Sequence, residues 1–278
     1  MTQYAESSSG RVAHTLASPT GLLTFRDRAS DSPFIERVWT SYSERAGTFL
    51  SVAAAHWEIV VTRCHGVTFL TLRGPETRAT VADCPPDGEW VGIRFKLGTF
   101  WRETRPLTLR DRCDLTLPTA TRHSFWLNGS AWEFPTFENA DTFVSQLVRQ
   151  GVISRDAAVD TVIEGQPRVL STRSIQRHFV SAAGITHTTF NKIERARYAA
   201  HLLRQGVPIL DVVYRAGYFD QPHLTRSLTH LIGQTPTDIM RGTRQLSFLY
   251  KTALPANFYD VNSSPRGYFE REEEITHA

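Results

Sequence analysis

Apolar and polar positions follow two rhythms along this chain. In the first part, apolar residues come in short bursts rich in β-branched and aromatic side chains, at 49–53, 57–61 and 67–72. Turn formers separate them: Gly66, Gly74-Pro75 and the run Pro85-Pro86-Asp87-Gly88. Residues 90–95 alternate apolar and polar with Gly98 close behind. Short alternating segments between glycine- and proline-rich turns predict strands over roughly residues 20–125, arranged as a small barrel or a sandwich.

Near residue 138 the period lengthens. Phe143, Leu147 and Val152 begin a helical spacing, and from there to about 250 nearly every segment fits a helix. The clearest stretch is 186–205, where Phe190, Ile193, Arg197, Ala200 and Leu203 recur at three- and four-residue steps and only Arg197 interrupts the apolar stripe. Gly206 ends it and Pro208 prevents its return. A helix of about 18 residues is about 27 Å long. Arg195 and Arg197 are expected to make pairs on the helix surface or contacts to phosphate.

A similar arrangement lies on each side of that rod. Downstream, Ile209, Leu210, Val212, Val213 and Ala216 make a short helix closed by Gly217. Asp220 then stands at an N-cap, with Pro222 in the first turn where its missing N–H is harmless. Leu224, Leu228 and Leu231 set the inner face of the next helix, and Gln221, His223, Thr225 and Arg226 the outer one. These polar types can reach base edges or phosphates. Upstream, Ser171 is an N-cap, Ile175 and Phe179 point inward, and Arg173, Gln176 and Arg177 point out, with Gly184 as the stop. The helix before it, about 157–165, runs into an irregular Gly165-Gln166-Pro167 turn. Helix, short turn, helix is the shape of a helix-turn-helix. The two caps are 49 residues apart, and a rod of about 27 Å between them could hold both outer faces near one duplex turn of about 34 Å.

Charge supports this division. Residues 1–154 carry 16 basic and 16 acidic side chains, 155–251 carry 13 basic and 7 acidic, and 252–278 carry 2 and 5. The net +3 of the 278 residues therefore hides a basic segment suited to a polyanion beside a neutral one. The other exclusions are quickly made. No apolar run approaches the roughly 20 residues of a membrane span, and the N-terminus does not read as a secretory signal. Cys64, Cys84 and Cys113 are odd in number and widely spaced, which argues against a disulfide framework or zinc site and fits a reducing cytoplasm.

The sequence 171–179, Ser-Thr-Arg-Ser-Ile-Gln-Arg-His-Phe, followed by Ala183-Gly184-Ile185-Thr186, resembles the first signature of AraC/XylS-type transcription regulators. The run 216–228, Ala-Gly-Tyr-Phe-Asp-Gln-Pro-His-Leu-Thr-Arg-Ser-Leu, followed by Gly233-Gln234-Thr235-Pro236, resembles their second. The resemblance covers about residues 155–243. It implies a seven-helix domain that binds double-stranded DNA, with helices starting near 172 and 221 entering adjacent major grooves. It assigns groove contacts to Arg173, Gln176, Arg177, Gln221, His223 and Arg226. The chain departs from the family at Gly165 and Pro167, where a regular helix is usual.

In the first half, the turn Gly74-Pro75-Glu76-Thr77 and the strand 92–98 look like the cupin-like sensor found in one branch of these regulators. Such sensors bind a small effector, dimerise, or do both. The expected organisation is multidomain, α and β: a cupin-like β-barrel at 1–137, a helical linker at 138–154, the DNA-binding domain with two helix-turn-helix units at 155–250, and an acidic tail at 251–278. RNA polymerase would be a partner if the protein activates transcription.

All six tryptophans lie in the first 132 residues. Most should be core, but one or two lining a cavity would suit an apolar or aromatic effector, and Trp57, Glu58, Trp90 and Arg94 are the candidates. His56 and Glu58, with His65 nearby, could in principle ligate iron or zinc. The His-x-His pair and later third histidine of a catalytic cupin are absent, and no phosphate loop or nucleophile elbow appears. The expectation is a regulator with no cofactor and no metal; the alternative is a cupin-type small-molecule enzyme with a helical appendage.

Overall fold

The computed structural model describes residues 14–17, 22–104, 106–111, 114–163 and 171–242. The acidic tail, the irregular turn at 165–167 and Cys113 lie outside the described residues.

Seven antiparallel strands form the main sheet, in the spatial order β1 (His14–Ala17), β2 (Leu23–Ala29), β3 (Ile35–Ser43), β8 (Glu89–Phe95), β5 (Glu58–Cys64), β6 (Val67–Arg73) and β10 (Leu115–Leu117). The period-2 pattern fixes the register. Ile59 pairs with Leu72 on one side and Ile93 on the other, so a slip of one residue would turn the apolar row to the opposite face. Among the described strands, β4 (Gly47–Ser51) and β7 (Thr80–Cys84) pair with each other alone as a ribbon, and β9 (Thr99–Trp101) pairs with β14 (Ile153–Arg155). The strands β11 (Thr119–Thr121), β12 (Ser124–Leu127) and β13 (Ser130–Glu133) form a small third layer.

The expected barrel does not close among the described strands. Closure gives every strand two neighbours, whereas β1 and β10 each have one and β4–β7 stands apart from the main sheet. The chain leaves the sheet at both ends of the ribbon. Ser43 donates to the Gly88 carbonyl and Asp87 to the Ser43 carbonyl, and these bonds tie the bends together at 2.9 Å.

The two faces of the main sheet are used differently. On one, Val38, Ile59, Val61, Leu70, Leu72, Ile93 and Phe95 meet Phe125, Trp132 and helix α1 (Ala140–Arg149), whose Phe143, Val144 and Leu147 are buried. Trp57 stacks on Phe95 with ring centroids 4.0 Å apart and donates its indole N–H to the Thr99 carbonyl. On the other, Leu23, Phe25, Trp39 and Val60 make a smaller cluster beneath the ribbon. Gly92 lets the chains approach there: a Cβ at 92 would overlap the Trp39 indole.

Helices follow: α2 (Ala157–Ile163), α3 (Thr172–Ala183), α4 (His187–Arg204), α5 (Ile209–Arg215), α6 (Gln221–Leu231) and α7 (Pro236–Arg241). The rod α4 has the expected 18 residues and makes contacts with α3, α5, α6 and α7. Its buried stripe, with Ile193, Ala196, Ala200 and Leu203, shares one core with Phe179, Val212, Leu224 and Leu228. Val52, Ala53, Ala55 and Leu97 from the β region join that same core. Gly184 takes a left-handed conformation (φ 73°) to end α3, and a Cβ there would lie 2.7 Å from the Pro106 carbonyl group.

Candidate DNA-contact surface and cavity

Helix α3 starts as its sequence requires. The Ser171 hydroxyl accepts from the Ser174 N–H at 3.3 Å, which satisfies one of the four unbonded donors of the first turn. Ile175, Phe179, Ala182 and Ala183 are buried, and Arg173, Gln176 and Arg177 are exposed. Arg177 reaches back to the Ser174 hydroxyl at 3.1 Å. His178 is tied to Asp156, Nδ1 to carboxylate, at 2.7 Å, so the helix is fastened at its side as well as beneath.

Helix α6 repeats the design with a stronger cap. Asp220 accepts from the His223 N–H at 2.6 Å and Pro222 sits in the first turn. Leu224, Leu228 and Leu231 are buried, whereas Gln221 and Arg226 are exposed and His223 and Thr225 half-buried. His223 meets the Tyr218 ring edge-on at 5.1 Å, and Thr225 donates its hydroxyl to the Gln221 carbonyl at 2.9 Å. Of the outward polar groups, Gln221 and Arg226 thus stand clearest of the helix body. Tyr218 is itself held by Ser227 at 3.0 Å and lies 4.8 Å under the Arg195 guanidinium. Burial raises the Tyr218 phenol above its ordinary pKa, against the lowering effect of Ser227 and Arg195.

Arg197 corrects the expectation of a surface pair or a phosphate contact. It is 6% exposed and bonds Glu194 at 3.1 Å inside the helical core. The residue that interrupts the apolar stripe is one half of a buried ion pair, and its charge also acts on Glu36 of the β region. Burial by itself would raise the Glu36 carboxyl. The electrostatic pull of His56, Arg94, Arg197 and Arg37 around it outweighs that and holds its pKa below the ordinary range. The side chain is 31% exposed, but its Oε2 is closed off and lies 3.2 Å from His56 Nδ1. His56 therefore faces Glu36 and the Phe95 carbonyl, and it precedes the strand β5 that begins at Glu58.

Between the main sheet and the ribbon lies a cavity of about 610 Å³. Phe25, Trp39, Phe49, Val60, Phe69 and Trp90 give it apolar walls, and Glu58, Thr71, Arg73 and Asp114 give it polar points. The four effector candidates are divided by it. Glu58 and Trp90 line the cavity; Trp57 lies in the packed core on the opposite face, and Arg94 does not reach the lining. Fully buried Arg94 instead bonds Glu58 at 2.6 Å and fixes that carboxylate at the cavity wall. Trp39, Phe25 and Phe49 were missed. The signal for the first two was present as the i, i+2 apolar alternation of Leu23 with Phe25 and the period-2 placing of Trp39 and Ser41, but only the pairing of β2 with β3 puts them on one face, and only the ribbon laid over that face brings Phe49 to them.

A family model described as a helix-turn-helix domain, of the AraC type, matches residues 169–242. No curated protein and no solved structure matches the chain. The match spans α3 to α7 and supports DNA-binding transcription regulation. Among the described residues, no helix is long and apolar enough to cross a membrane.

Proposed function

We propose that the protein is a sequence-specific transcription regulator whose α3 and α6 are the reading helices of two helix-turn-helix units, and whose cavity holds a small effector. The observation that carries the first part is the matched construction of the two helices. Each begins at a side-chain cap, buries its apolar stripe against α4, and turns hydrogen-bonding groups outward. Arg173, Gln176 and Arg177 on α3, and Gln221, His223, Thr225 and Arg226 on α6, are the proposed contacts. Arginine suits guanine and glutamine suits adenine in the major groove, while the basic surplus of this segment supplies the salt-dependent attraction.

The cavity wall favours an apolar or aromatic effector carrying a hydrogen-bond donor or positive group opposite Glu58. In this reading the unclosed β region is a cupin-like sensor. Pairing of two chains on a divided DNA site, and contact with RNA polymerase if the protein activates, complete the proposal.

Selection of DNA by the full chain from a random pool tests it. An enriched motif is expected, and Arg177→Ala or Arg226→Ala should each lower affinity for it by about 1–3 kcal/mol while relaxing choice at one base position. If no motif emerges, or both variants weaken every sequence alike, the two arginines touch phosphate only and the sequence-reading role fails.

A further inference from the structure

The ribbon β4–β7 touches both the cavity and helix α6. Its strands alternate. Phe49, Ser51 and Ala82 line the cavity, whereas the intervening Leu50 is buried against Gly233, just beyond the end of α6. The pairing continues past the strands: Ala54 and Glu76 exchange two backbone hydrogen bonds at 2.9 Å, and Ser51 donates to the Glu76 carboxylate at 2.8 Å. Just there the two segments flanking the ribbon meet α6. Ala53 donates its N–H to the Leu231 carbonyl and Ala79 donates to the His230 carbonyl, both at 2.8 Å.

Those carbonyls belong to the last turn of α6, where no intrahelical donor remains. The β region therefore supplies the C-terminal cap of a helix that carries Gln221 at its opposite end and Arg226 at its middle. A two-stranded ribbon bonded to no other strand among the described residues can shift against the sheet beneath it without breaking a ladder.

We propose that the β4–β7 ribbon is the coupling element between the cavity and DNA: occupation of the cavity displaces the ribbon, and through Ala53, Ala79 and Leu50 changes the seating of α6. This rests on the reading of the cavity as an effector site. A site-to-site coupling of ordinary size changes affinity by about 5–150-fold.

N-phenyl-1-naphthylamine, a neutral aromatic fluorophore, serves as the probe on the full chain, with the DNA motif recovered by selection. Its fluorescence should rise on binding and fall when Ala82→Trp fills the cavity. With probe bound, amide exchange around residues 53 and 79 should change about fivefold or more, and DNA affinity with it. Leu50→Ala, and independently Ala79→Pro just before strand β7, where no ladder hydrogen bond of the strand is lost, should keep probe binding but reduce the DNA response to less than about twofold. If one variant does not fold, the other decides. Probe binding with an unchanged DNA response in the unaltered chain, or an undiminished response in the variants, overturns the coupling while leaving the effector site standing. Probe fluorescence indifferent to Ala82→Trp removes the effector site, and the coupling falls with it.

Discussion

One face of the seven-stranded sheet is solid and the other is hollow, although both are written in the same alternating code. Ile59, Leu72, Ile93 and Phe95 are met by an amphipathic helix and a three-stranded layer that bring Phe125, Trp132 and Phe143. Val60, Trp39, Phe69 and Trp90 look across about 610 Å³ at a ribbon whose inward residues include the small Ser51 and Ala82. A strand pattern specifies which side chains share a face. Whether that face becomes core or cavity depends on the size of what is laid over it.

The largest expected difference lies in truncations on the two faces. Phe95→Ala removes the ring that stacks on Trp57 in the packed core and should cost about 3–5 kcal/mol in urea unfolding. Phe69→Ala, at a half-buried position already bordering empty space, should cost less than about half of that. Equal losses would mean that the hollow face is as tightly packed as the solid one.

Gly92→Ala sharpens the contrast at a smaller scale. The new Cβ overlaps the Trp39 indole, and overpacking of this kind costs about 1–3 kcal/mol. Because Trp39 borders the cavity, its ring should move into that space, with a shift in tryptophan emission and loss of fluorophore binding. Unchanged emission and binding would place the strain elsewhere.

The smallest effect concerns acid. Glu36 is held below its ordinary value of 4.5, so it binds fewer protons folded than unfolded. Its contribution to stability is complete above that value and is lost as pH falls through the lower folded pKa. Thermal melting should be insensitive to Glu36 ionisation near neutrality, and Glu36→Gln should flatten the fall in melting temperature below about pH 4.5. An acid limb as steep in the variant as in the unaltered chain would show that other carboxylates set it.

Local signals were readable wherever a feature depends on neighbours within one or two turns. The caps at Ser171 and Asp220, the stop at Gly184, the 18-residue rod and the leucine stripe of α6 all follow from residues within a few positions of one another. Arg197 was misread for the opposite reason. Its place on the apolar stripe and Glu194 three residues before it were both visible, but the burial of that pair depends on packing from segments far along the chain, including the β region where Glu36 lies 161 positions away. Trp57 and Trp90 likewise look equivalent as strand aromatics, and only the pairing of β5 with β8 and the layers above them put one in the core and the other at the cavity.

The amino-acid order by itself determined the two periodicities, the helix ends and the outward polar sets, because a backbone repeat and a cap need no distant partner. The tertiary structure decided that the described strands leave the sheet open, that a ribbon covers a hollow, and that Ala53 and Ala79 finish a helix some 150 or more residues away. Those outcomes rest on hydrogen bonds and packing between segments far apart in the chain. Neither donor nor acceptor in such a bond carries a mark in its own neighbourhood of what it will meet.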